Sequence, residues 1–191
     1  MSPGKLYFCF GVGFGNFSTG REWRMADLVK MIGDKDPERL DVIAWYGSTG
    51  NVAVKGERPT DVLSLLRDVS GRDWAVVDRS RVLRGLEALN GWDPRDRRPR
   101  TRWTGGLAFA VSGDRGGAVE DTERAKLRRL ESGMVAVYKN DAVTVAGHLD
   151  RSQRRGGWGA ISLDVSRQVE GVWTARSRRT IEGLLDRVER S

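Results

Sequence analysis

Leu40 to Gly56, LDVIAWYGSTGNVAVKG, restricts the possible folds more than any other stretch of the chain. Val42, Ile43, Trp45 and Tyr46 form an apolar, β-prone run, Gly47 to Asn51 carry turn chemistry, and Val52 and Val54 resume with the two-residue alternation of a strand. The segment is therefore predicted to be a β-hairpin. A hairpin alone is marginal in water, so its apolar face has to be buried by neighbouring elements. Both flanks supply a candidate. Met25, Leu28, Val29, Met31 and Ile32 recur at helical spacing, which predicts a helix from about Glu22 to Ile32 with Gly33 as its stop. Downstream, Thr60 is placed to cap a helix over Asp61 to Val69, whose apolar face is Val62, Leu63, Leu65, Leu66 and Val69, and Gly71 closes it. Strands are expected at Leu6 to Phe14 and at Asp73 to Asp78. The first half thus reads strand, helix, hairpin, helix, strand, the order of an α+β domain.

Ser80 then caps a further expected helix through Leu89, closed by Asn90 and Gly91. The stretch after it, GWDPRDRRPRTRWT, holds two prolines, five arginines and no aliphatic residue, so it is predicted to be an exposed linker. A strand restarts at Gly105, a charged helix is expected over Glu120 to Leu130, and Met134 to Lys139 with Ala142 to Ala146 read as a second hairpin turning at Asn140-Asp141. Two helices, Ala160 to Glu170 and Thr180 to Glu189, end the pattern. This divides the chain into residues 1–91, a linker at 92–104, and a second α+β half at 105–191.

A chain of 191 residues can bury about 70% of the surface it exposes unfolded, enough for a core without staples. No apolar run approaches the roughly 18 residues of a membrane span, and the early Gly11 breaks LYFCF before it could serve as a signal peptide. One cysteine, Cys9, cannot form an internal disulfide, which points to the reducing cytoplasm. Chemistry is sparse. One histidine and one cysteine do not make a zinc site, and no G-x-S-x-G or P-loop pattern is present. His148, at the end of an expected strand, is the one candidate general base, and a solvated loop histidine is its ordinary reading. No catalytic constellation, cofactor motif or metal set emerges, and whether the chain is an enzyme stays open.

The net charge is +7, and its distribution carries more than its sum. Residues 91–103, 148–158 and 171–180 together hold +8, and the remainder is close to neutral. The same segments contain four of the seven tryptophans, Trp92, Trp103, Trp158 and Trp173. Arginine pairs with phosphate through a planar fork, and indoles and guanidinium groups stack on unpaired bases. Arg95, Arg97, Arg98, Arg100 and Arg102 with Trp92 and Trp103 form the first expected nucleic-acid or polyanion contact. Arg151, Arg154 and Arg155 form the second. Arg176, Arg178 and Arg179, beside the start of the last helix, form the third. Only six of the 33 basic residues are lysine, a bias that GC-rich coding also produces.

Three motifs resemble the bacterial family known as domain of unknown function 1697. Met25-Ala26-Asp27-Leu28 is similar to that family's M-x-x-L helix opening, and Thr49-Gly50-Asn51-Val52 to its S-G-N-V turn. Gly171-Val172, Arg176 and Thr180-Ile181 resemble its closing G-V-x-A-T-x-R-N-W-N-T-V, with Ser177-Arg178-Arg179 where the family has Asn-Trp-Asn. The motifs fall in the same order over nearly the whole chain. The resemblance implies a ferredoxin-like first half and brings no established activity. The functional expectation is a cytoplasmic bacterial protein that binds nucleic acid or another polyanion. The alternative is a small anionic or nucleotide ligand in a cleft between the halves, lined by Gly13, Gly15, Asn16, Asn51 and a turn at Arg176, with or without catalysis.

Overall fold

The computed structural model describes residues 4–12, 25–35, 40–47, 50–90, 103–111, 134–141, 144–150 and 172–191, with backbone alone for 103–104, 134–141 and 144–150. The expected helices at 120–130 and 160–170 lie outside the described residues. Two compact units are present, one made of Met1–Arg79 with Thr180–Ser191 and the other of Ser80–Arg179. The boundary therefore falls at Arg79 and not in the arginine-rich stretch, and the chain's last helix belongs with its first residues.

The first unit contains β1 (Lys5–Gly11), α1 (Met25–Lys35), β2 (Leu40–Trp45), β3 (Asn51–Gly56), α2 (Pro59–Ser70) and β4 (Trp74–Asp78). Its sheet runs β2-β3-β1-β4, antiparallel throughout. That order is the ferredoxin-like βαββαβ arrangement, in which each helix crosses over to place the outer strand on the far side of β1 or β3. The expected hairpin is β2 and β3, and Ile43 is an extra residue where the register slips between Val42 and Ala44. One face of the sheet, with Tyr7, Cys9, Leu40, Val52, Val54 and Trp74, packs with Met25, Leu28 and Ile32 of α1 and Val62, Leu63, Leu66 and Val69 of α2.

Local chemistry differs from expectation at two helix ends. α1 passes through Gly33 to Lys35, because a helical glycine costs only about 1 kcal/mol against alanine and the preceding apolar row outweighs it. At α2, Pro59 occupies the first turn, where its missing N–H costs nothing, and Thr60 is already helical. Arg58 precedes the helix in extended backbone and clasps Asp61 through two hydrogen bonds of 2.8 and 2.9 Å. Gly71 ends α2 as expected, at φ +63 with its N–H donating to the Arg67 carbonyl at 2.7 Å.

The second unit opens with α3 (Arg79–Asn90), which follows β4 without an intervening loop. Its strands are β5 (Trp103–Ala110), β6 (Met134–Asp141), β7 (Thr144–Asp150) and β8 (Trp173–Ser177), ordered β6-β7-β5-β8, again antiparallel. α4 (Arg178–Glu189) follows β8 without a loop and, from Thr180 on, lies in the first unit. The two sheets repeat each other in order and register. Phe10 lies between Asn51 and Ala75, and its counterpart Phe109 lies between Thr144 and Thr174. A shift of 99 residues carries Phe10 to Phe109 and Ala75 to Thr174, and carries α3, which begins at Arg79, to α4, which begins at Arg178. The sequence expectation placed the second hairpin turn at Asn140-Asp141, but both residues belong to β6.

Alternation along β1 to β4 gives the first sheet a second face, with Phe8, Phe10, Asn51, Ala53, Ala75 and Val77, all buried. Tyr46 follows Trp45, whose side chain packs on the first face, so Tyr46 stands on the second. Within this unit α4 meets that side. A Cβ built on Gly183 would collide with the Tyr46 ring, and the Arg187 guanidinium sits 5.7 Å from the ring's centre. Ser191 Oγ donates to the Ile43 carbonyl at 3.3 Å, and Arg79 pairs with Glu189 at 3.0 Å. Ile181, Leu184 and Leu185 are the buried row of α4.

Candidate functional site

The described part of the basic surface is the junction between β8 and α4. Arg176, expected from sequence to lie in a turn between two helices, is instead a residue of β8. Alternating Thr174 and Arg176 hide the apolar signal of a strand that pairs with β5 along Gly106 to Ala110. Trp173 is only 2% exposed, and Thr174 and Ala175 are as deeply buried. Arg176 is half-buried. Its Nη1 donates to Thr174 Oγ1 at 2.7 Å and to the Ala175 carbonyl at 2.9 Å. Burial lowers its pKa to about 10, and the guanidinium stays charged at neutral pH.

Arg178 and Arg179 are the first two residues of α4, the former half-buried and the latter exposed. The first turn of α4 contains no acidic residue. A helix start carries partial positive charge and N–H groups without intrahelical partners, so arginine there opposes the helix dipole by a few tenths to about 1 kcal/mol. An anion at the junction would offset that opposition. The counterpart start of α3 shows the same pattern, with Arg79, Ser80 and Arg81 and no acid in the first turn. There the Arg79–Glu189 pair is exposed on both sides and contributes little.

The other expected residues divide into two groups. Asn51 is fully buried, and its Nδ2 donates to the Tyr46 carbonyl at 2.9 Å while the Tyr46 N–H donates to the Asn51 carbonyl at 3.0 Å. Its amide therefore closes the hairpin, with Gly47 and Gly50 at φ +69 and +66 completing the turn. Trp103 is the first residue of β5, paired with Asp150, and not part of a linker. Trp92, Arg95, Arg97, Arg98, Arg100, Arg102, Arg151, Arg154, Arg155, Gly13, Gly15 and Asn16 lie outside the described residues. His148 is inside β7, opposite Gly105 and Ala136, and does not follow a strand end. Among the described residues no three potential metal ligands come together, and no helix is long and apolar enough to cross a membrane.

Sequence reasoning missed β8 and the return of α4 to Tyr46. A signal for both was present. Trp74 precedes Arg79 by five residues with apolar Val82 and Leu86 beyond, and Trp173 precedes Arg178 by five with Ile181 and Leu185 beyond, so the visible strand-to-helix junction predicts the hidden one.

The chain is similar in fold to the conserved bacterial protein SP0830 from Streptococcus pneumoniae, with a TM-score of 0.57 and 13% sequence identity over 96% of this chain and 98% of that one. No family model matches the chain, and no curated protein does.

Proposed function

We propose that this chain binds nucleic acid or another polyanion, using arginine side chains as phosphate partners, and that it works in a reducing cytoplasm. The observation that carries the reading is the placement of Arg178 and Arg179 on the first turn of α4, a turn that contains no acidic residue of its own. The same region is one of three segments that concentrate the chain's positive charge. A buried free thiol at Cys9 agrees with a reducing compartment. We further propose, on the order of the three motifs described above, that the chain is a relative of the domain of unknown function 1697 family.

The test is salt-dependent binding. Fluorescence anisotropy of a labelled mixed-sequence single strand is measured against the full chain between 50 and 200 mM salt. Six phosphate contacts to a single strand predict a loss of about 300-fold across that range, and more contacts a steeper one. The double variant Arg178→Ala, Arg179→Ala is expected to reduce the slope of log K against log salt by about 1.4. Absence of binding at 50 mM salt refutes the proposal, and binding with an unchanged slope in the variant removes the α4 junction from it.

A further inference from the structure

We infer that the two repeats of this chain exchange their closing helices: α3, which continues the first repeat, closes the second face of the second sheet, as α4, which continues the second repeat, closes that of the first. The connection is the same in both repeats. α3 follows β4 and α4 follows β8 without a loop. The shift of 99 residues that carries Phe10 to Phe109 also carries the buried Val82, Gly85 and Leu86 of α3 to the buried Ile181, Leu184 and Leu185 of α4.

Neither helix stays with the strand it continues. Thr180–Ser191 belongs with β1 to β4, and residues 80–90 belong with β5 to β8. For α4 the place on the sheet is set by Tyr46, which stands on the second face and meets Gly183 and Arg187. For α3 it follows from the register. Leu107 and Phe109 lie opposite Arg176 and Thr174, on the face that corresponds to Phe8, Phe10, Val77 and Ala75 of the first sheet. Leu107, Phe109 and Thr174 are buried, so that face is covered, and an apolar sheet face is covered by the apolar stripe of another element. α3 brings such a stripe within the same unit, Val82, Leu86 and Leu89, and it is the element equivalent to the helix already seen on the first sheet. Each unit therefore takes one layer from the opposite repeat, as in a dimer of swapped subunits joined into a single polypeptide. The arginine-rich residues 91–102 then connect two elements of one unit, α3 and β5.

Double-mutant cycles on the full chain, read by urea unfolding, test the exchange. Leu86→Ala is combined with Phe109→Leu and, separately, with Phe10→Leu. Leu185→Ala, its equivalent in α4, is combined with the same two. Contacting side chains shift the unfolding constant away from additivity by about 2- to 150-fold, and separated ones by less than about twofold. Exchange predicts that Leu86 couples more strongly to Phe109 than to Phe10, and that Leu185 couples more strongly to Phe10 than to Phe109. An equal or reversed preference of Leu86 overturns the inference. Where a double variant fails to fold, the milder Val82→Ala takes the place of Leu86→Ala under the same criterion.

Discussion

Replacing Gly183 by alanine tests the docking of α4 on the first sheet, because two effects of known sign oppose each other at that position. Within a helix, Gly→Ala contributes about 1 kcal/mol of stability through backbone entropy. Here the added Cβ collides with Cε2 and Cζ of Tyr46 and falls 2.9 Å from Cδ2, where carbon atoms in good contact are about 3.5–4 Å apart. The ring has to retreat by more than about 1 Å, and overpacking of this kind costs about 1–3 kcal/mol. Retreat also weakens the contact with Arg187, worth about 0.5–1 kcal/mol at an exposed site. The expected net effect of Gly183→Ala is a loss of about 1–2 kcal/mol. In a Tyr46→Ala background the obstacle is gone, and the same change is expected to stabilise by up to about 1 kcal/mol. Urea unfolding followed by far-ultraviolet circular dichroism on the four proteins of this cycle gives the coupling, expected at about 2 kcal/mol. If Gly183→Ala stabilises the chain equally in both backgrounds, α4 does not lie against Tyr46 and the closed second face is refuted.

Three further outcomes follow from buried polar groups. Burial raises the pKa of the Cys9 thiol, so it is expected to resist alkylation at pH 8 in the folded chain and to react only on unfolding; prompt labelling of native protein, read by mass spectrometry, contradicts its placement. Asn51→Ala removes the bond to the Tyr46 carbonyl from a fully buried site and is expected to cost about 1–3 kcal/mol in urea unfolding, while polyanion affinity measured on the remaining folded protein stays unchanged. Burial lowers the Arg176 pKa to about 10, below that of the free side chain, so the unfolded chain holds the extra proton above about pH 10 and stability rises with pH only there. The stability difference between the native chain and Arg176→Met is therefore expected to stay flat from pH 6 to 9, and a slope there refutes burial as the cause.

The first sheet was legible because each of its elements carries an uninterrupted apolar signal. Val52 and Val54 alternate, Leu28 and Ile32 repeat at one helical turn, and Gly71 supplies a left-handed end that other residues adopt only at a cost. β8 was not legible because its own composition argues against a strand. Thr174 is buried and polar, and Arg176 is charged, so the segment resembles a basic turn until its pairing with β5 is known. The structural role of Asn51 was hidden for a related reason. An asparagine among glycines serves equally well as a ligand contact or as the hydrogen bond that closes a hairpin, and only the 2.9 Å contact to Tyr46 decides. Polar residues are ambiguous until their partners are known, whereas the spacing of apolar residues already states which face is inside.

The return of α4 to the first unit has a consequence for how the chain is made. β4 ends at Asp78 and α4 begins at Arg178, so a ribosome adding about 5–20 residues per second finishes the first sheet roughly 5–20 s before it supplies the helix that meets the sheet's second face. During that interval the side of the sheet that carries Phe8 and Phe10 stands without the helix that meets it at Tyr46.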